Sequence, residues 1–166
     1  RPGRYIIEDD YDSEFRYASR PIPALRDLDR EGRVIYVNTF SRSLAPGLRI
    51  GYLVLPDALM MRYRERFSLY SATVSSFDQQ TLAAFMQSGG FERHINRSRK
   101  VYQARRDALM AAIEREFSAL PHEISRSEAG LHLLLHMRNG MLERELVERA
   151  RMAGVRVYAL SSYYTP

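Results

Sequence analysis

The segment Val37-Asn38-Thr39-Phe40-Ser41-Arg42-Ser43-Leu44-Ala45-Pro46-Gly47-Leu48-Arg49-Ile50-Gly51-Tyr52 constrains this chain more than any other stretch. A β-branched apolar run, Val34 to Val37, enters it and a second apolar run, Ile50 to Leu55, leaves it. Short apolar runs of this kind read as buried strands. The turn between them is rich in hydroxyls, small residues and arginine. A connection held by two strands is a good carrier of binding groups, and Thr39, Ser41, Arg42, Ser43 and Arg49 supply hydrogen-bond donors there. Donors of that kind suit a phosphate group.

The rest of the chain alternates strand-like and helix-like segments. Tyr5 to Glu8 reads as a short buried strand that ends in the acidic run Asp9-Asp10-Tyr11-Asp12-Ser13-Glu14. Such a run is ordinarily a solvated turn. In an open α/β sheet, however, ligands sit at the carboxyl ends of strands, which gives weight to an acid placed directly after one. Arg20-Pro21-Ile22-Pro23 breaks regular structure, and Leu25 to Gly32 reads as polar connection. Pro56-Asp57 starts a helix through about Tyr70, with Leu59, Tyr63 and Phe67 four apart on one face. Small and hydroxylated residues from Ser71 to Phe77 mark a joint. Asp78 to Gln87 is helical, Ser88-Gly89-Gly90 stops it, and Phe91 to Phe117 predicts one long helix with Phe91, Ile95, Tyr102, Leu109, Ile113 and Phe117 on its apolar face. Beyond it come a strand at Leu131 to Met137, a helix from about Met141 to Met152 closed by Gly154, and a strand at Val155 to Tyr158. This order predicts an α/β chain with a largely parallel sheet, followed by a smaller α/β lobe.

Composition narrows the function. A formal net charge of +5 over 166 residues raises nucleic acid as a partner. The cations are nearly all arginine, Lys100 being the one lysine, and they alternate with acids, as in Arg62-Tyr63-Arg64-Glu65-Arg66. That pattern reads as a solvated surface and not as a DNA-binding face. No run of eighteen apolar residues occurs, so no membrane span is expected. The absence of cysteine excludes disulfides and thiolate metal sites and fits a cytoplasmic protein. Arg1-Pro2-Gly3-Arg4 leads straight into a strand with no initiating methionine or signal peptide, so the sequence is expected to be a piece of a longer protein. His132 and His136 have helical zinc-ligand spacing but lie in a strand-like run, and no Glu-x-x-His pattern accompanies them; they read as core or rim histidines. Neither a Gly-x-Ser-x-Gly elbow nor a Gly-x-x-x-x-Gly-Lys loop is present, which leaves hydrolase and P-loop readings without a starting point.

Two long motifs in the right order carry a family resemblance. Ile6-Ile7-Glu8-Asp9-Asp10-Tyr11-Asp12-Ser13-Glu14-Phe15-Arg16-Tyr17 and, some thirty residues on, Thr39-Phe40-Ser41-x-Ser43-Leu44-Ala45-Pro46-Gly47-Leu48-Arg49-Ile50-Gly51-Tyr52 resemble the fold-type I pyridoxal-phosphate aminotransferases. More narrowly they resemble the aminotransferase-like domain of MocR-type regulators of the GntR family, with 2-aminoadipate-type aminotransferases as close relatives. Arg99-Lys100-Val101-Tyr102 with Arg105-Arg106-Asp107-Ala108-Leu109, and Gly130-Leu131-His132-Leu133, are similar to that family's bridging helix and small-domain strand. The resemblance implies part of a large cofactor-binding domain with a mostly parallel sheet at 1–74, bridging helices at 75–117, and part of a small C-terminal α/β domain at 118–166. It also implies pyridoxal 5′-phosphate as cofactor. Asp9 matches the acid paired with the pyridine nitrogen, where a carboxylate keeps the ring protonated as an electron sink. Tyr11 matches the phenol that bonds the ring oxygen, Thr39 and Arg49 match phosphate ligands, and Ser41 is a further candidate for the phosphate.

Arg42 departs from the pattern. It falls where the family has the lysine that links covalently to the cofactor. Schiff-base chemistry needs an amine that sheds its proton, whereas a guanidinium stays charged. The chain is therefore not expected to transaminate by the usual route, although Arg42 retains the ability to hydrogen-bond the cofactor's phosphate or aldehyde oxygen. Three functions follow from the resemblance. The first is an effector domain of a GntR/MocR-type regulator, which binds an amino-group small molecule, forms a homodimer and reaches DNA only through an absent N-terminal winged-helix region. The second is a fragment of a 2-aminoadipate-type aminotransferase inactivated at its lysine. The third is a dimerisation scaffold without cofactor.

Overall fold

The structure is a computed structural model that describes residues 3–17 and 22–164. Three strands make the first sheet, in the order β1 (Ile6–Asp9), β2 (Val34–Thr39), β3 (Gly51–Val54). β1 and β2 run parallel, with Ile6 opposite Val34 and Asp9 opposite Val37. β2 and β3 run antiparallel, with Thr39 opposite Gly51. The first pairing is the one expected; the second differs for a reason of length. Residues 40–50 are too few for a parallel crossover and are taken up by one helical turn, α2 (Phe40–Ser43), and a 3-10 turn at Pro46–Leu48. Burial departs from expectation as well. Val34 and Asn38 on the central strand are buried, but Ile6 and Ile7 on β1 and Tyr52, Leu53 and Val54 on β3 are exposed, because these strands are the sheet's two edges and no described element covers them.

Where a polar connection was expected after β1, residues Leu25–Leu28 form a short helix, α1, without a capping side chain of its own. Glu8 of β1 substitutes for one: its carboxylate accepts from the Leu25 N–H at 2.7 Å and the Arg26 N–H at 3.0 Å, satisfying donors that the helix itself cannot. Arg20 and Pro21 of the predicted chain break lie outside the described residues. Asp29, just past α1, sets the entry to β2. It accepts from the N–H groups of Glu31, Arg33 and Val34 at 3.0, 2.6 and 2.7 Å. These backbone bonds, that from Val34 foremost, hold its carboxyl below the usual carboxylate range. A folded-state pKa below the unfolded one favours folding while the group is charged. That contribution is complete above the unfolded value of about 3.9 and is lost as pH falls through the folded one. Asp29→Asn is expected to lower the melting temperature at neutral pH and to shrink the stability lost on acidification below about pH 4. An unchanged melting curve, followed by circular dichroism, would show that the turn forms without the carboxylate.

Helix α3 (Asp57–Phe67) ends three residues before the predicted stop, with Tyr63 and Phe67 stacked at 5.2 Å as their four-residue spacing requires. α4 (Ser76–Gln87) is capped by Ser75, whose Oγ accepts from the Asp78 N–H at 3.1 Å. Gly89 takes a φ of +69° between α4 and the long α5 (Gly90–Glu116), which is why the helical pattern breaks there. β4 (His122–Ser125) pairs antiparallel with β5 (Leu134–Met137). β4 had no forecast, its four residues being too few to show a period, and β5 covers only the second half of the predicted strand. α6 (Glu143–Met152) follows, with Gly154 at φ +81° beyond it. The strand predicted at Val155 to Tyr158 is absent; those residues are exposed and no strand among the described residues pairs with them.

Segment 12–17 fastens these parts together. The Phe15 side chain is fully buried and meets Tyr102 of α5 edge-on, with ring centroids 5.3 Å apart. Its carbonyl accepts from the Gly130 N–H at 2.8 Å, the Tyr17 N–H donates to Glu128 O at 3.0 Å, and the Tyr17 hydroxyl donates to Gly130 O at 2.9 Å. From α5, Arg99 donates to Glu14 O at 3.0 Å, and the Arg106 guanidinium lies 4.7 Å from the centre of the Tyr17 ring. The chain nevertheless exposes 13359 Å². A compact monomer of 19.3 kDa exposes about 8,500 Å², so the chain exposes far more surface than one its size usually does, many large apolar side chains among it.

Candidate functional site

Asp9 closes β1 and Thr39 closes its parallel neighbour β2, so both lie at the same end of the sheet; antiparallel β3 begins at that end, directly after Arg49 and Ile50. The pairing thus gathers Asp9, Tyr11, Thr39, Ser41, Arg42 and Arg49 at one edge, at the carboxyl ends of β1 and β2, where open α/β sheets bind ligands.

The loop that carries four of these residues is stiff. Thr39 caps α2: its hydroxyl donates to Ile50 O at 3.1 Å and accepts from the Ser41 N–H at 3.2 Å. Phe40 N–H donates to the same Ile50 carbonyl at 2.9 Å. Ser43 is buried, and its carbonyl oxygen lies 3.1 Å from His94 Nε2 on α5. Arg49 holds a left-handed conformation, φ 51° and ψ 29°, which costs a residue with a Cβ about 1–2 kcal/mol and persists only where its surroundings fix it. Arg42 and Arg49 are exposed, and among the described residues neither they, nor Asp9, nor Tyr11, makes a side-chain hydrogen bond or ion pair. The Ser43 hydroxyl is buried without a hydrogen-bond partner. Among the described residues, two unpaired cations, one unpaired carboxylate and a free phenol thus stand at one sheet edge as a set of free donors and acceptors.

Sequence reasoning missed a second group of residues beneath this edge. The Tyr36 hydroxyl donates to Asp10 Oδ2 at 2.8 Å, and buried Asn38 donates from Nδ2 to the Tyr36 oxygen at 2.9 Å. Asp10 N–H continues the ladder to Val37 O at 2.9 Å. Burial raises the Tyr36 phenol far above its ordinary value, and its hydrogen bond to Asp10 adds to the rise, so the proton stays on Tyr36. Tyr52 packs at 5.3 Å from Phe40 and 6.1 Å from Tyr36, and burial raises its phenol too. The signal was the two-residue alternation of a strand, which puts Tyr36 and Asn38 on one face and leaves Asp9 and Asp10 on opposite faces. Asp9 is thereby kept out of the network that occupies Asp10. Glu14 lies partly buried nearby; burial raises its carboxyl above the usual range, while Asp10 and Asp12 push in the same direction and Arg99 opposes them. Of the two paired histidines, His136 bonds the Ser125 hydroxyl at 3.0 Å, and no cluster of three metal-ligating side chains occurs among the described residues.

A three-stranded mixed sheet with its polar edge at the carboxyl ends of β1 and β2, followed by a long helix and a second small sheet, is part of a fold-type I transferase architecture. The chain belongs to the aminotransferase class I and II family, whose model matches residues 5–166. It is similar to the HTH-type transcriptional regulator YdeL of Bacillus subtilis, with 46% identity over 96% of this chain and 34% of the relative. It is also similar to the probable rhizopine catabolism regulatory protein MocR of Rhizobium meliloti, with 36% identity over 99% of this chain and 33% of the relative. The chain thus spans about a third of the length of the regulators it matches. Among solved structures, the kynurenine aminotransferase of Pyrococcus horikoshii, in complex with PMP, superposes with a TM-score of 0.79 at 34% identity, covering 92% of this chain and 37% of that one. LysN, the alpha-aminoadipate aminotransferase of Thermus thermophilus, complexed with N-(5'-phosphopyridoxyl)-L-leucine, superposes with a TM-score of 0.73 at 27% identity over 92% of this chain and 39% of that one.

Proposed function

We propose that this chain is part of the effector-sensing domain of a DNA-binding transcriptional regulator, and that it binds pyridoxal 5′-phosphate without a covalent bond. The observation that carries the reading is the unpaired set Asp9, Tyr11, Arg42 and Arg49 at the carboxyl ends of parallel strands, in a chain whose more similar relatives are regulators. Asp9 would hold the pyridine nitrogen, Tyr11 the ring oxygen, and Arg49 with Thr39 and Ser41 the phosphate. The aromatic platform of Tyr36, Tyr52 and Phe40 keeps the edge rigid. When bound to a lysine, this cofactor serves as an electron sink for amine chemistry. Here the position after Ser41 is Arg42, a permanent cation that cannot act as that nucleophile, so binding is separated from transamination. Residues 1–74 form the cofactor-bearing part, 75–117 the bridge and 118–166 part of the small domain. DNA contact belongs to a region beyond this chain, and the excess apolar surface supports a homodimer.

Titration of the full-length parent with pyridoxal 5′-phosphate, beside its Arg42→Lys variant, tests this. Reversible binding to the native protein is expected, with a borohydride-trapped mass adduct only in the lysine variant, and light scattering is expected to show a dimer. Absence of binding to both proteins would leave a cofactor-free dimerisation scaffold in its place. A trapped adduct at another lysine, with turnover of amino acids, would favour an aminotransferase instead.

A further inference from the structure

Building on that reading, we infer that Arg42 sets the ligand's chemical class: the site selects phosphorylated pyridines with an oxygen substituent at the 4′ carbon, held reversibly, and rejects those with an amine there. Arg42 lies on the single helical turn α2, whose backbone is fastened at both ends. Thr39 caps its start, Leu44 N–H bonds Phe40 O at 2.9 Å at its end, and the buried Ser43 next to Arg42 is tied to His94 of α5 through its carbonyl. The guanidinium therefore rises from a fixed turn, exposed and with no acid or acceptor bound to it among the described residues. It donates only and keeps its charge at any physiological pH.

A lysine at this position would take the aldehyde by covalent addition: its nitrogen attacks the 4′ carbon, a carbon–nitrogen double bond forms, and the carbonyl oxygen leaves as water. Arg42 removes that route and replaces it with a donor fork, which favours an aldehyde, alcohol or carboxylate oxygen and repels an aminomethyl group that is protonated at neutral pH. Lys100, the sequence's one lysine, is on α5 six residues beyond His94, about 9 Å farther along the helix axis than the residue that touches the loop, and does not supply the missing amine.

Calorimetric titration of the full-length parent with pyridoxal, pyridoxine and pyridoxamine 5′-phosphates tests the inference. The aldehyde and alcohol forms are expected to bind at least tenfold more tightly than the amine form. In Arg42→Gln that preference is expected to fall below threefold while binding persists. In Arg42→Lys the aldehyde alone is expected to gain a trapped adduct. Equal or tighter binding of the amine form to the native protein overturns the inference and leaves the proposed function standing. Failure of all three compounds to bind overturns both.

Discussion

Replacing Phe15 by alanine is expected to lower the stability of the chain by about 3–5 kcal/mol, the cost of emptying a large aromatic site that cannot collapse. Among the described residues, Phe15 is the one large side chain with no exposure at all, and few other apolar residues are buried. Its edge-on contact with Tyr102 adds about 0.5–1.5 kcal/mol beyond area burial. It also lies where three pieces of chain meet: segment 12–17, α5 through Tyr102, and Gly130, whose N–H donates to the Phe15 carbonyl. A typical domain has a total stability of about 5–15 kcal/mol, so the loss would take a large share of what is available. Urea unfolding followed by circular dichroism should show a lower midpoint at unchanged slope. Phe15→Leu, which refills most of the volume, should lose much less. A loss below about 1 kcal/mol for the alanine variant would mean that α5 and segment 127–130 are held by other contacts.

The sequence disclosed this fold where local chemistry and tertiary need agree. The long helix, its glycine break and the run from Val34 to Leu55 are legible because periodicity and capping are properties of a few consecutive residues. Burial of the edge strands was misjudged because a β-branched run looks the same whether or not a neighbour covers it, and β1 and β3 have no cover here. α1 was missed because its cap is Glu8, seventeen residues before Leu25. The Val155 to Tyr158 run failed as a strand for want of a partner edge. At the site, Asp9, Thr39 and Arg49 are motif positions in the sequence; the parallel register of β1 and β2 brings Asp9 and Thr39 to one edge, and the antiparallel start of β3 adds Arg49. The alternation within β2 puts Tyr36 and Asn38 on one face, but their link to Asp10 was not legible, because it depends on the register between β2 and β1, twenty-five residues apart in the chain.

Gly130→Val should cost about as much as the loss of Phe15, by a different route. Gly130 is buried with φ +81°, a conformation that a β-branched residue adopts only under strain, at about 1–3 kcal/mol. A Cβ on Gly130 would also stand 2.7 Å from Asp12 Oδ2, so the carboxylate must move, and overpacking of this kind adds about 1–3 kcal/mol. The combined loss of about 2–6 kcal/mol falls on the residue whose N–H and C=O fasten Phe15 and Tyr17 to the second small sheet's approach. Shortening Asp12 to alanine in the Gly130→Val background should restore the steric part and leave the backbone part, because the two costs have different origins. Denaturant midpoints of the four proteins in that cycle separate them. If Gly130→Val matches the parent, the left-handed turn is not required to join segment 12–17 to segment 127–130. If the double variant recovers fully, the contact with Asp12, and not the backbone conformation, is what reserves the position for glycine.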